Sequence, residues 1–249
     1  MTAPSTAPRP PPAWQRWTLA CGVAETVGMA AAAGVAGLLL ATVGEPDDWP
    51  SALAVWFGSI AGGAVEGLAV GLVQLWVLRP WLPRLPGRRW VLVTVAVAVL
   101  GWALGMAFPA LVAWRLGTGG GTSSAAGPPL WLMPLAGAAM GLVLGAIFGA
   151  AQAGVLRGHV ARPRRWVTAN ALGWAAAMAV IMTGASMPSV PWPWPQLLAL
   201  GAATGILAGL AIGAVTGLFL PALDDVAPRG GPWVNRVVLW LLRSPAHRV

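Results

Sequence analysis

Lysine and tyrosine are absent from the chain, and all fifteen basic residues are arginine. Without a lysine amine, retinal or pyridoxal Schiff-base chemistry is excluded. The one cysteine, Cys21, permits no intramolecular disulfide. The two histidines, His159 and His247, fall outside the apolar stretches, which leaves none at membrane depth to ligate haem, chlorophyll or a metal. The chain also lacks a phosphate-binding glycine loop, a His-x-x-x-His pair and a Gly-x-Ser-x-Gly elbow. No catalytic residue, metal site or cofactor is expected, and the chain reads as a non-enzyme.

Charge is scarce as well. Only 9% of the 249 residues are charged and 57% are apolar, whereas about a quarter are charged in soluble proteins. Mean hydropathy is +0.73. Six segments are long enough to cross a hydrocarbon core of about 30 Å, which takes roughly 20 apolar residues. They are Trp17–Val43, Ser51–Leu78, Trp90–Trp114, Leu130–Leu156, Trp166–Met187 and Gln196–Leu220. The expected fold is all-α, a polytopic bundle of six transmembrane helices. The first apolar run is longer than the roughly 7–15 residues of a signal-peptide core and is read as a retained helix.

Three expected regions follow. Residues 1–13 form a Pro/Ala/Thr/Ser-rich disordered arm, 14–221 the membrane domain, and 222–249 a cytoplasmic tail. In the tail, Trp233, Val237, Trp240 and Leu241 share one helical face, with Arg236 and Arg243 off it, as in a short interfacial helix. The loop 117–129 reads as flexible, and Pro191-Trp192-Pro193-Trp194-Pro195 as an extended rod.

Fourteen of the fifteen arginines fall on one side of the six spans; Arg115 alone shares the other side with Glu45, Asp47 and Asp48. With short loops this bias sets orientation, and it places both termini in the cytoplasm, in a bacterial inner membrane. The net charge of +8 is strung along membrane edges. Anionic headgroups are therefore the expected partner of Arg79, Arg84, Arg88, Arg89, Arg162, Arg164 and Arg165, rather than nucleic acid. Arg79 and Arg157 also stand where they can bond the carbonyls of the preceding helix end. Fourteen of the sixteen tryptophans map to two interfacial belts, Trp17, Trp90 and Trp166 among them; Trp102 and Trp174 remain inside.

An Arg-Trp pair opens an apolar stretch three times, at Arg16-Trp17, Arg89-Trp90 and Arg165-Trp166. Each time a second stretch follows with glycine at every fourth position. The rows are Gly63, Gly67, Gly71; Gly137, Gly141, Gly145, Gly149; and Gly201, Gly205, Gly209, Gly213, Gly217. Aligned on these rows, Ala24-Glu25 matches Gly101-Trp102 and Gly173-Trp174, and Met29 matches Met106 and Met178. The chain thus reads as three parallel two-helix repeats, about 16–79, 89–157 and 165–220. Close backbone packing drives helix association where lipid gives no hydrophobic push. Three grooved helices are expected to form an inner ring, with the odd helices outside or between them.

Two acids lie within spans, Glu25 and Glu66. Intramembrane ionisable residues are costly and are candidate functional sites by default. Glu25 stands about 12 Å along its helix from Trp17, and Glu66 about 15 Å from Trp76, so their depths agree. Facing carboxyls tend to share a proton, which makes the pair a candidate proton or cation site. The alternative is a pair of neutral acids bonded to backbone carbonyls or to hydroxyls such as that of Thr26. Gln74 and Gln152 occupy matching places in the shared pattern G-x-x-Q-x-x-V-L-R, as an inter-helix clamp or a polar vestibule. The third copy loses that ending at Gly217-Leu218-Phe219-Leu220.

The pattern G-x-x-x-G-x-x-Q-x-x-V-L-R, followed by R-W and G-W, resembles a loose group of uncharacterised bacterial Gly-rich multi-pass membrane proteins, best over residues 58–109 and 134–184. That resemblance implies no activity. Three two-helix repeats are also similar to mitochondrial-carrier architecture, although the Pro-x-Asp/Glu-x-x-Lys/Arg signature is absent from the odd helices. The expected role is an accessory or assembly subunit packing with other membrane-protein subunits. The rival is a small transporter or channel for protons, cations or a small solute, using Glu25 and Glu66.

Overall fold

A computed structural model describes residues 11–44, 48–116, 129–187 and 192–223. Among them are six α-helices and no strand: α1 (Trp14–Thr42), α2 (Trp49–Leu78), α3 (Gly87–Leu116), α4 (Leu132–Leu156), α5 (Arg164–Ala185) and α6 (Trp194–Leu223). Their ends lie within three residues of the expected spans. Even α5, the shortest at 22 residues, is about 33 Å long. All six are long and apolar enough to cross a membrane. Large apolar side chains on their outer faces, such as Leu19, Val23, Phe57, Leu72, Leu104 and Leu218, are exposed, as lipid-facing residues are. The chain is a multi-pass integral membrane protein. The arm at 1–10, the loop at 117–128 and the tail from 224, with its expected interfacial helix, lie outside the described residues.

Helix starts follow local chemistry. Asp48 caps α2, accepting the Ser51 N–H at 2.8 Å, while Ser51 Oγ accepts the Asp48 N–H at 3.2 Å. Pro50 stands in the first turn, where a missing N–H has no cost. The same tolerance explains one departure from expectation. Trp194 and Pro195 form the first turn of α6 rather than the end of an extended rod.

The helices form a single ring in chain order, which α6 closes against α1. The expected inner ring of even helices is not formed: among the described residues α2, α4 and α6 do not pack backbone to backbone. Each glycine row instead receives the odd helix that comes next around the ring. Gly67 and Gly71 meet α3 at Val95 and Val91, while Gly141, Gly145 and Gly149 meet α5 at Trp174, Asn170 and Trp166. Gly205, Gly209 and Gly213 meet α1 at Glu25, Cys21 and Thr18. The physical reason is economical: a glycine row needs only one partner backbone, and an antiparallel neighbour supplies it along its full length. By contrast, α3 and α4 are the least closely packed neighbours in the ring.

Close approach also changes the place of the Arg-Trp tryptophans. Trp17, Trp90 and Trp166 are 0%, 0% and 1% exposed, so they belong to the core and not to a lipid-facing belt. Gly217 leaves room for the Trp17 indole, and Gly149 lets α4 close on the backbone of Trp166. Trp14, Trp49, Trp76, Trp131 and Trp194 are exposed near helix ends, in keeping with belt positions.

Candidate functional site

The loops between α2 and α3 and between α4 and α5, together with the start of α1, gather at one end of the ring. Arg79, Arg84, Arg88, Arg89, Arg157, Arg162, Arg164 and Arg165 are all exposed there. Arg16 lies over the Trp76 ring at 4.8 Å, fixing the start of α1 beside the end of α2. The helix-end carbonyl that takes a guanidinium is Ala222 O, from Arg165 at 3.2 Å. Among the described residues, no such bond is formed by Arg79 or Arg157.

Just inside this end, a buried polar cluster joins helices across the ring. Gln152 Nε2 donates to Gln74 Oε1 and to Thr94 Oγ1, each at 2.9 Å, and Gln152 Oε1 accepts from Trp166 Nε1 at 2.8 Å. Gln152 thereby ties α4 to α2, α3 and α5. On the closing side, Trp17 Nε1 donates to Thr216 Oγ1 at 2.9 Å, and the Trp17 and Trp166 rings meet edge to face at 5.8 Å. Gln74 and Gln152 are 5% and 0% exposed, and their side chains bond one another. Thr94 and Thr216 carried no sequence signal strong enough to single them out. Only the three-dimensional meeting of α2, α3 and α4 identifies Thr94 as a partner.

Deeper in, the structure brings the two acids together. Glu66 lies against α1, where its side chain fills the space in front of Gly28, one turn from Glu25. Across the α1/α2 contact the two acids thus share one stretch of the bundle interior. Both are buried, at 2% and 6% exposure. Glu66 Oε2 accepts the Trp102 Nε1 hydrogen at 2.8 Å from α3. Glu25 Oε2 is buried with no hydrogen-bond partner. Thr26 bonds Gly22 O of its own helix and so does not satisfy Glu25.

Beside Glu66 lies a cavity of about 270 Å³. Met29, Met106 and Met178, the three positions matched in the sequence alignment, all line it. Trp102, Trp174 and Phe148 supply aromatic walls, with the last two rings 5.4 Å apart. Gly101 and Gly105 border it, and a Cβ on either would meet nothing within 4 Å. Leu100 on α3 and Ile147 on α4 belong to its lining and are 44% and 41% exposed, beside the loose α3/α4 seam. Trp174 Nε1 is buried and unpartnered. Among the described residues, no three His, Cys, Asp or Glu side chains gather as metal ligands would.

The alignment explains the asymmetry. The position of Glu66 is Leu144 in the second copy and Ile212 in the third; the position of Trp102 is Trp174 and Glu25. Only the α2/α3 pair therefore holds an acid facing an indole donor. The α4/α5 pair leaves an indole without an acceptor, and the α6/α1 pair leaves an acid without a donor. No protein-family model, no curated protein and no solved structure matches the chain.

Proposed function

We propose that this integral membrane protein is a small transporter, without enzymatic activity, whose Glu25–Glu66 pair carries a proton or a cation. The observation that supports this reading is a pair of buried carboxyls on the packed helices α1 and α2, one of them on the wall of an apolar cavity beside the loose α3/α4 seam. A carboxylate in a low-dielectric interior is tolerated only if a proton neutralises it or a cation pairs with it. Such a group changes occupant rather than standing permanently charged. Among the described residues, the titratable group linked to Glu66 across the packed helices is Glu25, which is linked in turn to the Cys21 thiol. The polar clamp around Gln152 fills the bundle interior near the Arg-rich end. The arginines favour a cytoplasmic location for that end and headgroup anchoring there.

The test is a pH jump applied to proteoliposomes adsorbed on a capacitive sensor. Wild-type protein gives a transient displacement current as protons bind, and the Glu25→Gln/Glu66→Gln double variant does not. A wild-type trace equal to that of the folded double variant overturns the reading. It would return the protein to the accessory-subunit class, whose signature is a stoichiometric partner retained through purification.

A further inference from the structure

The cavity specifies the chemistry of its occupant, and this step rests on the transporter reading above. Its walls are almost wholly apolar, with Glu66 as the one ionisable group. An inorganic cation is disfavoured, because one carboxyl cannot replace the several oxygen ligands such ions require. An anion meets a carboxylate. A purely apolar solute leaves that carboxyl without a counter-charge. What fits is an apolar body bearing one positive charge.

The remaining features agree. Trp102, Trp174 and Phe148 present aromatic surface beside the acid, where a desolvated ammonium gains cation–π attraction. Five methionines, Met29, Met106, Met140, Met178 and Met182, line the space. Unbranched thioether side chains adapt to irregular shapes, as they do on surfaces that accept varied ligands. Trp102 already engages Glu66 Oε2, which orients the carboxyl. Gly101 and Gly105 keep the α3 wall open.

We infer that the Glu66 cavity binds a compact lipophilic ammonium ion, which enters from the bilayer between α3 and α4 and takes the place of the proton on Glu66. The exchange balances. The protonated carboxyl releases its hydrogen ion to the aqueous phase, and the incoming R–NH3⁺ donates N–H hydrogen bonds to the carboxylate left behind.

The experiment measures binding of 1-adamantylammonium and of its neutral counterpart 1-adamantanol to purified full-length protein, with thermal melting as a fold control. The ammonium is expected to bind wild-type protein about tenfold or more tightly than the alcohol, and to release a proton measurable in weakly buffered solution. Glu66→Gln is expected to lose that preference while still binding the alcohol. Gly105→Leu, which fills the cavity, is expected to weaken both. Equal affinity of wild-type protein for ammonium and alcohol overturns the inference and needs no variant. So does ammonium binding unchanged in a folded Glu66→Gln protein. If pH-jump currents are present but the ammonium preference is absent, the ligand class is wrong and the transporter reading stands. If neither is seen, both fail.

Discussion

The Trp102 indole donates to Glu66 Oε2 at 2.8 Å, joining α3 to α2 across the wall of the cavity. The bond links a residue of the second sequence copy to one of the first. It also holds in place the one ionisable side chain of the cavity lining. An inter-helix hydrogen bond within a membrane is worth about 0.6–2 kcal/mol. Trp102→Phe is therefore expected to lower stability by about that amount. The pH-jump transient should survive in altered form, because the carboxyl remains but its orientation does not. Melting in detergent and the sensor trace together check this. A variant as stable as wild type, with an identical transient, would show that the bond neither holds nor orients Glu66.

The glycines divide into two kinds. A Cβ at Gly141 would fall on the Trp174 backbone, whereas one at Gly105 meets nothing within 4 Å. Gly141→Ala is expected to destabilise the protein by about 1–3 kcal/mol, since helix backbones yield poorly. Gly105→Ala is expected to be neutral or slightly stabilising, because alanine is the better helix former. Reversible unfolding of the two variants side by side decides the matter. Equal effects would mean that the glycine rows are not contact surfaces.

Gln152 makes three side-chain hydrogen bonds and Gln74 one, the one they share. Gln152→Leu strands the Trp166 indole and the Gln74 carbonyl together and leaves Thr94 only its bond to Trp90 O, so it is expected to cost more than Gln74→Leu, on the order of 1–3 kcal/mol more. A double-mutant cycle over the pair should show a coupling near the value of a single bond. Comparable single-variant losses would argue that Gln152 is not the hub.

Much of this was legible in the sequence, and the reasons differ by element. Apolar length gave six helices because a membrane admits few alternatives for a satisfied backbone. Glu25 and Glu66 stood out because acids are rare at that depth, and their similar distances from the arginine end on adjacent helices marked them as a candidate pair. Gln74 and Gln152 stood out by their matching positions. The partners of the glycine rows were not legible. Periodicity shows that a helix face is bare, but not which backbone covers it, so an inner ring of even helices looked as natural as the observed pairing with the next odd helix. Trp17, Trp90 and Trp166 sit at helix starts, where belt and core positions have the same sequence signature. The cavity was invisible for a related reason. It arises where α3 and α4 fail to pack closely, and a missing contact leaves no mark on either segment alone.

At the other end of the bundle, the Ser51 hydroxyl and then its backbone N–H hold the Asp48 carboxyl below the ordinary carboxylate range. A carboxyl acidified by folding contributes stability that is full above its unfolded value, about 3.9, and is lost as pH falls through the lower folded one. Asp48→Ala removes the cap of α2. The variant is expected to melt below wild type at neutral pH, and the gap is expected to narrow on acidification below the ordinary carboxylate range. A gap independent of pH would assign the cap's value to backbone geometry and not to the charge.

Orientation can be read with single cysteines in a Cys21→Ala background, since Cys21 is the chain's one thiol. Arg84 is exposed in the turn between α2 and α3, and Leu130 is 57% exposed just before α4, at the opposite end of the ring. Because arginine clusters at the first of these ends, we propose that this end is the cytoplasmic one. A membrane-impermeant maleimide added to intact spheroplasts is therefore expected to label Leu130→Cys and to spare Arg84→Cys until the membrane is opened. The reverse pattern would invert the bundle. The polar clamp would then lie near the outer end, and the Glu66 cavity would lie in the half of the membrane nearer the cytoplasm. Labelling of both in intact spheroplasts would mean that the helices do not cross the bilayer as a single oriented ring.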